Sequence, residues 1–279
     1  MIRPASKTEV SVVAQYAHRL NSNDRHRCKA FPNRYDEILN QFERMIEHPH
    51  DQLLVAEGEN MIAGVLALFV DPEGKYLQAI GGVFAELDFV SVSDELFTYI
   101  QSSFTGYRMH AAYPKENEQA IGFMQSVGAK LEDYDYEFCL SQSGSIEKAV
   151  YGIEELSEAY YEAFVALHNA ENPAAFWTGE KLLQALDRFK IYVAIDKQDI
   201  AGFIVTSFGA RNDNEIYFLS GQDPTIKERL LTASIADTFS SGSEDLIIMV
   251  GKDNRADMKM LEKYGFRQTD SCLTFLLEF

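Results

Sequence analysis

The chain has 279 residues, 46% of them hydrophobic and 24% charged, with 43 acidic side chains against 25 Lys and Arg and a formal net charge of −18. That composition suits a globular protein of one large or two ordinary domains, and its acidity argues against nucleic acid or an anionic membrane surface as main partner, since both ask for a Lys/Arg-rich face. Cys28, Cys139 and Cys272 are too scattered for a disulfide framework or a zinc site, no apolar run nears the ~18 residues of a membrane helix, and Met1 to Ser6 lacks a signal peptide's apolar core, so a reduced, cytoplasmic location is expected.

Apolar spacing predicts helices over 8–20 and 35–47. A hairpin of strands 53–57 and 62–69 follows around the polar turn Gly58-Glu59-Asn60, and a third strand covers 76–83. Next come a helix over 93–103, a strand over 107–113, a short helix between Asn117 and Gly128, and a strand over 134–140. The segment Ser141-Gln142-Ser143-Gly144-Ser145 is small and polar and reads as a linker; the alternative is a surface loop within one domain. The order then recurs. Helices are predicted over 158–168 and 179–189, and strands over 191–195, 200–208 and 215–221. A helix over 226–239, a strand over 246–250, a short helix between Asn254 and Gly265, and a strand over 272–279 complete the chain.

The recurrence is also visible in residues. Val55-Ala56 and Ile62-Ala63-Gly64 return as Val193-Ala194 and Ile200-Ala201-Gly202, and Asn117 with Gly128 returns as Asn254 with Gly265. Two matches at nearly one offset, in one order, argue for duplication. The division expected is a domain over 1–140, a linker over 141–146 and a domain over 147–279, the two halves carrying equal shares of the negative charge. The strand–helix–strand crossover in each half makes two strands parallel, so each domain is an α/β fold with a mixed, mostly antiparallel sheet.

These residues resemble the GCN5-related N-acetyltransferase (GNAT) fold. Ile2-Arg3-Pro4-Ala5 is similar to its first strand, and the two Ile-Ala-Gly hairpins to its second and third. The run from Asn254 through Leu261-Glu262-Lys263-Tyr264-Gly265-Phe266 is similar to its Asn-led helix ending in Gly-Phe. The resemblance covers nearly the whole chain as two tandem copies. It implies acetyl-CoA as acyl donor and an amine of a small molecule or peptide as acceptor. It also implies that one copy is degenerate, here the first, with cofactor and catalysis in the second; the alternative is a non-catalytic GNAT-like binding or regulatory protein that has lost transfer.

What the resemblance implies for the site is read residue by residue. The phosphate loop of the family, Gln/Arg-x-x-Gly-x-Gly/Ala before a helix, is missing from both halves. At its place the second half has Ser220-Gly221-Gln222-Asp223-Pro224-Thr225, then Lys227 and Arg229, while the first half carries Glu86, Asp88 and Asp94. Ser220, Gly221, Thr225, Lys227 and Arg229 are therefore the candidate cofactor contacts, with Asn254 beside them; Lys227 and Arg229 also suit a solvated helix face, and Asn254 a plain N-cap. The family's proton-donating Tyr falls on Met124 and Leu261, neither of which can donate, and Tyr264 is the nearest replacement. Glu215, the one acidic residue in 215–220, is the candidate general base. Trp177 and His168 are candidate walls of the acceptor site, or else a hydrophobic anchor and a helix end. Arg25, His26, Arg27, Lys29 and Arg34 form the single basic cluster, suited to an anionic group or simply to solvent. His48-Pro49-His50 lacks a third ligand, and no metal is expected.

Overall fold

Runs of β-branched and aromatic residues become strands wherever alternate side chains find a core, and each half of the chain does this in the same order. A computed structural model describes residues 1–28, 31–59, 61–141, 151–197, 199–208 and 213–279. Lys29 and all of the expected linker except Ser141 lie outside them. The first half comprises β1 (Ile2–Pro4), α1 (Val10–Asn21), α2 (Tyr35–Glu47), β2 (Gln52–Glu57), β3 (Ile62–Asp71), β4 (Tyr76–Ala85), α3 (Phe89–Ser103), β5 (Arg108–Tyr113), α4 (Glu118–Ser126) and β6 (Lys130–Ser141). The second comprises β7 (Ile153–Glu155), a 3₁₀ turn over Glu158–Tyr160, α5 (Tyr161–Glu171), α6 (Gly179–Gln184), β8 (Phe189–Asp196), β9 (Asp199–Ser207), β10 (Asp213–Gly221), α7 (Pro224–Ser240), β11 (Asp245–Gly251), α8 (Arg255–Lys263) and β12 (Arg267–Glu278).

Two helices depart from expectation by four residues or more, for physical reasons. Helix α6 stops at Gln184, because Phe189 is buried and pairs across to Ser207 as the first residue of β8. Helix α3 starts at Phe89, four residues early, where Phe89 and Val92 bury on the helix's inner face. Strand β7 was not expected at all; three residues are too few to show a period.

The described residues divide into two compact units, one of 1–135 with 270–279 and one of 136–269. In the first, β1, β2, β3 and β4 run antiparallel in turn, β5 lies parallel to β4, and β12 antiparallel to β5. In the second, the order is β6, β11, β10, β9, β8, β7, with β10 and β11 parallel and β7 to β10 antiparallel in turn. The sequence reading closes each half with its own last strand. The units exchange them instead. Side chains give the reason: Leu273, Phe275 and Leu277 of β12 alternate into the core of the first unit, and Phe138 and Leu140 of β6 into that of the second.

Candidate active site

Parallel pairing fails partway along the central strands of both units. In the second, β10 pairs β11 only from Asp213/Asp245 to Ile216/Ile248, although the two strands continue to Gly221 and Gly251. A register shift between Ile216 and Phe218 pushes Tyr217 out of the β9–β10 ladder, as a bulge does. Backbone groups of β10 beyond Ile216 that face away from β9 therefore have no strand partner.

Aromatic side chains line the bulge. The Tyr217 ring lies 5.4 Å from Phe189, Phe189 lies 4.8 Å edge-to-face from Trp177, and the Arg188 guanidinium sits 5.1 Å above Trp177. Tyr217 is 41% exposed overall. Its hydroxyl is nevertheless pushed up to about 12, chiefly by burial, with the Glu215 carboxylate adding to the rise and Arg188 opposing it. Glu215 is half-buried, and its backbone N–H donates to the Ser207 hydroxyl at 3.2 Å. The structure thus brings Glu215 and Trp177 onto one aromatic edge. Sequence reasoning missed Tyr217, Phe189 and Arg188, because the bulge that gathers them leaves no local signature.

His168 departs from its expected role as an acceptor wall. It is fully buried, with Phe218, Phe203 and Phe164 rings 4.6, 5.5 and 5.6 Å away, so it fastens α5 to β9 and β10. Asn169 donates its side-chain N–H to Glu180, which identifies its Oδ1 as the atom 3.4 Å from His168 Nδ1. Burial holds the imidazole pKa below its ordinary value.

Of the residues expected to hold a diphosphate, Ser220 to Arg229 lie at the start of α7 and Asn254 at the start of α8, and the cationic and capping groups among them are already engaged. A Cβ on Gly202 would lie 2.6 Å from the Ser220 carbonyl oxygen and 2.8 Å from Ile226, so the helix start presses onto the glycines Gly202 and Gly221. Asp223 caps the helix, its carboxylate accepting the Ile226 N–H at 3.0 Å. Its carbonyl takes the Lys227 N–H, and Pro224 has no N–H to offer. Lys227 reaches both oxygens of Asp257 at 2.9 and 3.1 Å. Asn254 caps α8 by accepting the Asp257 N–H, and its amide donates to the same carboxylate at 2.7 Å. Arg229 donates to the Tyr151 carbonyl. Thr225 is exposed. Tyr264 donates its hydroxyl to Glu228 at 3.3 Å, and Lys263 pairs with that carboxylate at 2.7 Å. A diphosphate needs free N–H groups and unpaired cations. This helix start, capped by a carboxylate and neutralised by Asp257, does not fit one.

The first unit has the same strand gap, but filled. Strand β4 pairs β5 only over Tyr76–Gln78 against Arg108–His110. Gly81 and Gly82 follow at φ of 83° and 86°, and a Cβ on either would lie 2.5 Å from the ring of Phe31 or Tyr113 respectively. Buried Tyr113 accepts the Val83 N–H at 3.4 Å through its hydroxyl. Fully buried Asn117 caps α4 and donates to the Arg27 carbonyl at 2.9 Å, while Arg27 pairs with Asp270 at 2.6 Å. Gln119 donates to the Arg25 carbonyl and meets His26 Nδ1 at 2.6 Å. His26 and Arg27 are thus engaged within their own unit, whereas Arg25 offers its carbonyl to Gln119 and keeps an exposed side chain. Among the described residues, no three His, Cys, Asp or Glu gather as metal ligands, and no helix is long and apolar enough to cross a membrane.

Solved structures place this architecture. The chain matches a GCN5-related N-acetyltransferase from Sphaerobacter thermophilus at a TM-score of 0.74 and 14% identity, covering 100% of this chain and 95% of that one. It matches a tandem GNAT protein of the clavulanic acid biosynthesis pathway at 0.66 and 11% identity, covering 100% and 98%. A glucosamine N-acetyltransferase region of a fungal multi-domain β-N-acetylglucosaminidase matches at 0.71 and 10%, over 99% of this chain and 38% of that one. At the level of sequence, no family model and no curated protein matches. The chain has the GNAT fold, in tandem, as its hairpins and Asn-led helices implied.

Proposed function

We propose that the chain is an N-acyltransferase whose reaction centre is the open gap between β10 and β11. The observation that carries this is the contrast between the two gaps. Tyr113 and Phe31 occupy the first, whereas at the position matching Tyr113 the second has Val250, which carries no hydroxyl for the β10 backbone. Tyr217 begins the unpaired run of β10 and joins Phe189 and Trp177 in an aromatic wall, and the carboxylate residue Glu215 stands two positions before it, at the end of the paired stretch. An alkylammonium is drawn to such a wall by the ring quadrupoles. With an unperturbed pKa near ~10 it must lose a proton before it can attack, and Glu215 is the base placed to take it. A thioester, of the acetyl-CoA kind, is the donor class the fold suggests.

The test incubates the full chain with acetyl-CoA and a panel of primary amines and follows amide formation by mass spectrometry. Glu215→Gln is expected to lower the rate at neutral pH by about 10²–10⁴-fold with little change in thioester binding. An unchanged rate removes Glu215 as base. A second reading, an amine-binding protein without transfer, draws support from Tyr264. Its hydroxyl is committed to Glu228, and Leu261 holds the position of the family's acid. Amine binding with no product from any thioester selects that reading.

A further inference from the structure

We infer that the acyl donor is recognised through its thioester arm and not through a nucleotide diphosphate, so that a short pantetheine thioester serves as well as a CoA thioester. The inference rests on the acyl-transfer reading and narrows its donor class. CoA adds to pantetheine a diphosphate and a 3′-phosphate, whose charges need cations and free N–H donors. At the mouth of the gap the cations and the capped helix N–H are taken: Lys227 by Asp257, Lys263 by Glu228, Arg229 by the Tyr151 carbonyl, and the Ile226 N–H by Asp223, while Thr225 is exposed but brings no charge. The surrounding carboxylates Asp223, Glu228 and Asp257 repel phosphate, as does a chain of net charge −18. The thioester arm asks for something different. Pantetheine is an extended chain with two amides, and the unpaired backbone edge of β10 past Ile216 offers the N–H and C=O groups that such a chain pairs with. In transfer, the amine nitrogen bonds to the acyl carbon as the carbon–sulfur bond breaks. The ammonium's first proton goes to Glu215 before attack, and the second, released as the amide forms, passes to the departing thiolate, which leaves as pantetheine thiol.

The experiment titrates the full chain with S-acetylpantetheine and with acetyl-CoA by calorimetry, and maps both by amide NMR. The two affinities are expected to agree within about threefold, with shifts on Tyr217 to Gly221 and not on Thr225 to Lys227. A preference for acetyl-CoA above about threefold overturns the inference and leaves acyl transfer standing. Failure of both to bind at millimolar concentration overturns the acyl-transfer reading, and the inference with it. Asp223→Ser keeps a competent helix cap while removing the charge. It is expected to raise acetyl-CoA affinity about fivefold or more and leave S-acetylpantetheine unchanged. Equal acetyl-CoA affinity in variant and parent refutes Asp223 as the excluding group.

Discussion

Asp135 shows what one side chain's surroundings do to its charge. Burial, and after it the carboxylate of Asp133, pushes its carboxyl up to about 6. Between its ordinary value and about 6 the folded chain holds a proton that the unfolded chain has lost, so stability falls as pH rises through that window. A shift of this size in a fully buried group corresponds to about 3 kcal/mol, and partial exposure screens it to about 1 kcal/mol. Asp135→Asn is therefore expected to raise the Tm by about 3 °C at pH 7 and hardly at all at pH 3.5, checked by calorimetry at both. His168 works in the opposite window. Its depressed folded value makes the unfolded chain the better proton acceptor below ~6.5, so stability drains away as pH falls from there. In His168→Phe, the slope of the urea midpoint between pH 7 and pH 5 should flatten. Asn254 takes part in a cap and a carboxylate tie, so Asn254→Ala should cost about 1 kcal/mol of stability while leaving S-acetylpantetheine affinity as it was.

Two strand pairs that part company make the same gap twice, and in the first unit aromatic rings fill it. Gly81 and Gly82 sit at positive φ against aromatic rings, a position no larger residue can share. Gly82→Ala should destabilise the first unit by at least about 2 kcal/mol, seen as a lower denaturation midpoint, while donor binding by the folded protein is retained. The converse change moves the filling across. Val250→Tyr gives the second gap the tyrosine that the first already has, and it should abolish thioester binding with circular dichroism unchanged. Binding that survives in a folded Val250→Tyr protein would mean the β10–β11 gap is not where the arm lies. Residue patterns exposed the strands and helices around both gaps, and Asn117 and Asn254 as caps. They could not expose the bulge at Tyr217, because a register shift is a relation between two strands rather than a property of one.

For the molecule as a whole, the exchange of final strands sets what can fold alone. A fragment of residues 1–140 lacks β12, so β5 loses its antiparallel neighbour and the core loses Leu273, Phe275 and Leu277. An unpaired β5 edge above a depleted core should leave that fragment unfolded or aggregated, with poor amide dispersion. Adding a peptide of residues 267–279 should restore dispersed spectra. A fragment that folds well by itself would refute the assignment of β12 to the first unit.

The amino-acid sequence by itself determined the repeated order of elements, the mixed sheet and the GNAT resemblance, because these rest on apolar period, turn chemistry and helix caps, all local. Tertiary structure alone decided which unit takes which last strand, since both β6 and β12 carry alternating apolar residues that could serve either core. It alone showed Lys227, Arg229, Asn254 and Tyr264 to be bound to partners within their own unit, and His168 to be interior. The same residue types at the same spacing suit a ligand or a neighbouring carboxylate equally well. Only the folded geometry brings Asp257 to Lys227 and Asn254, Glu228 to Tyr264, and the Tyr151 carbonyl to Arg229.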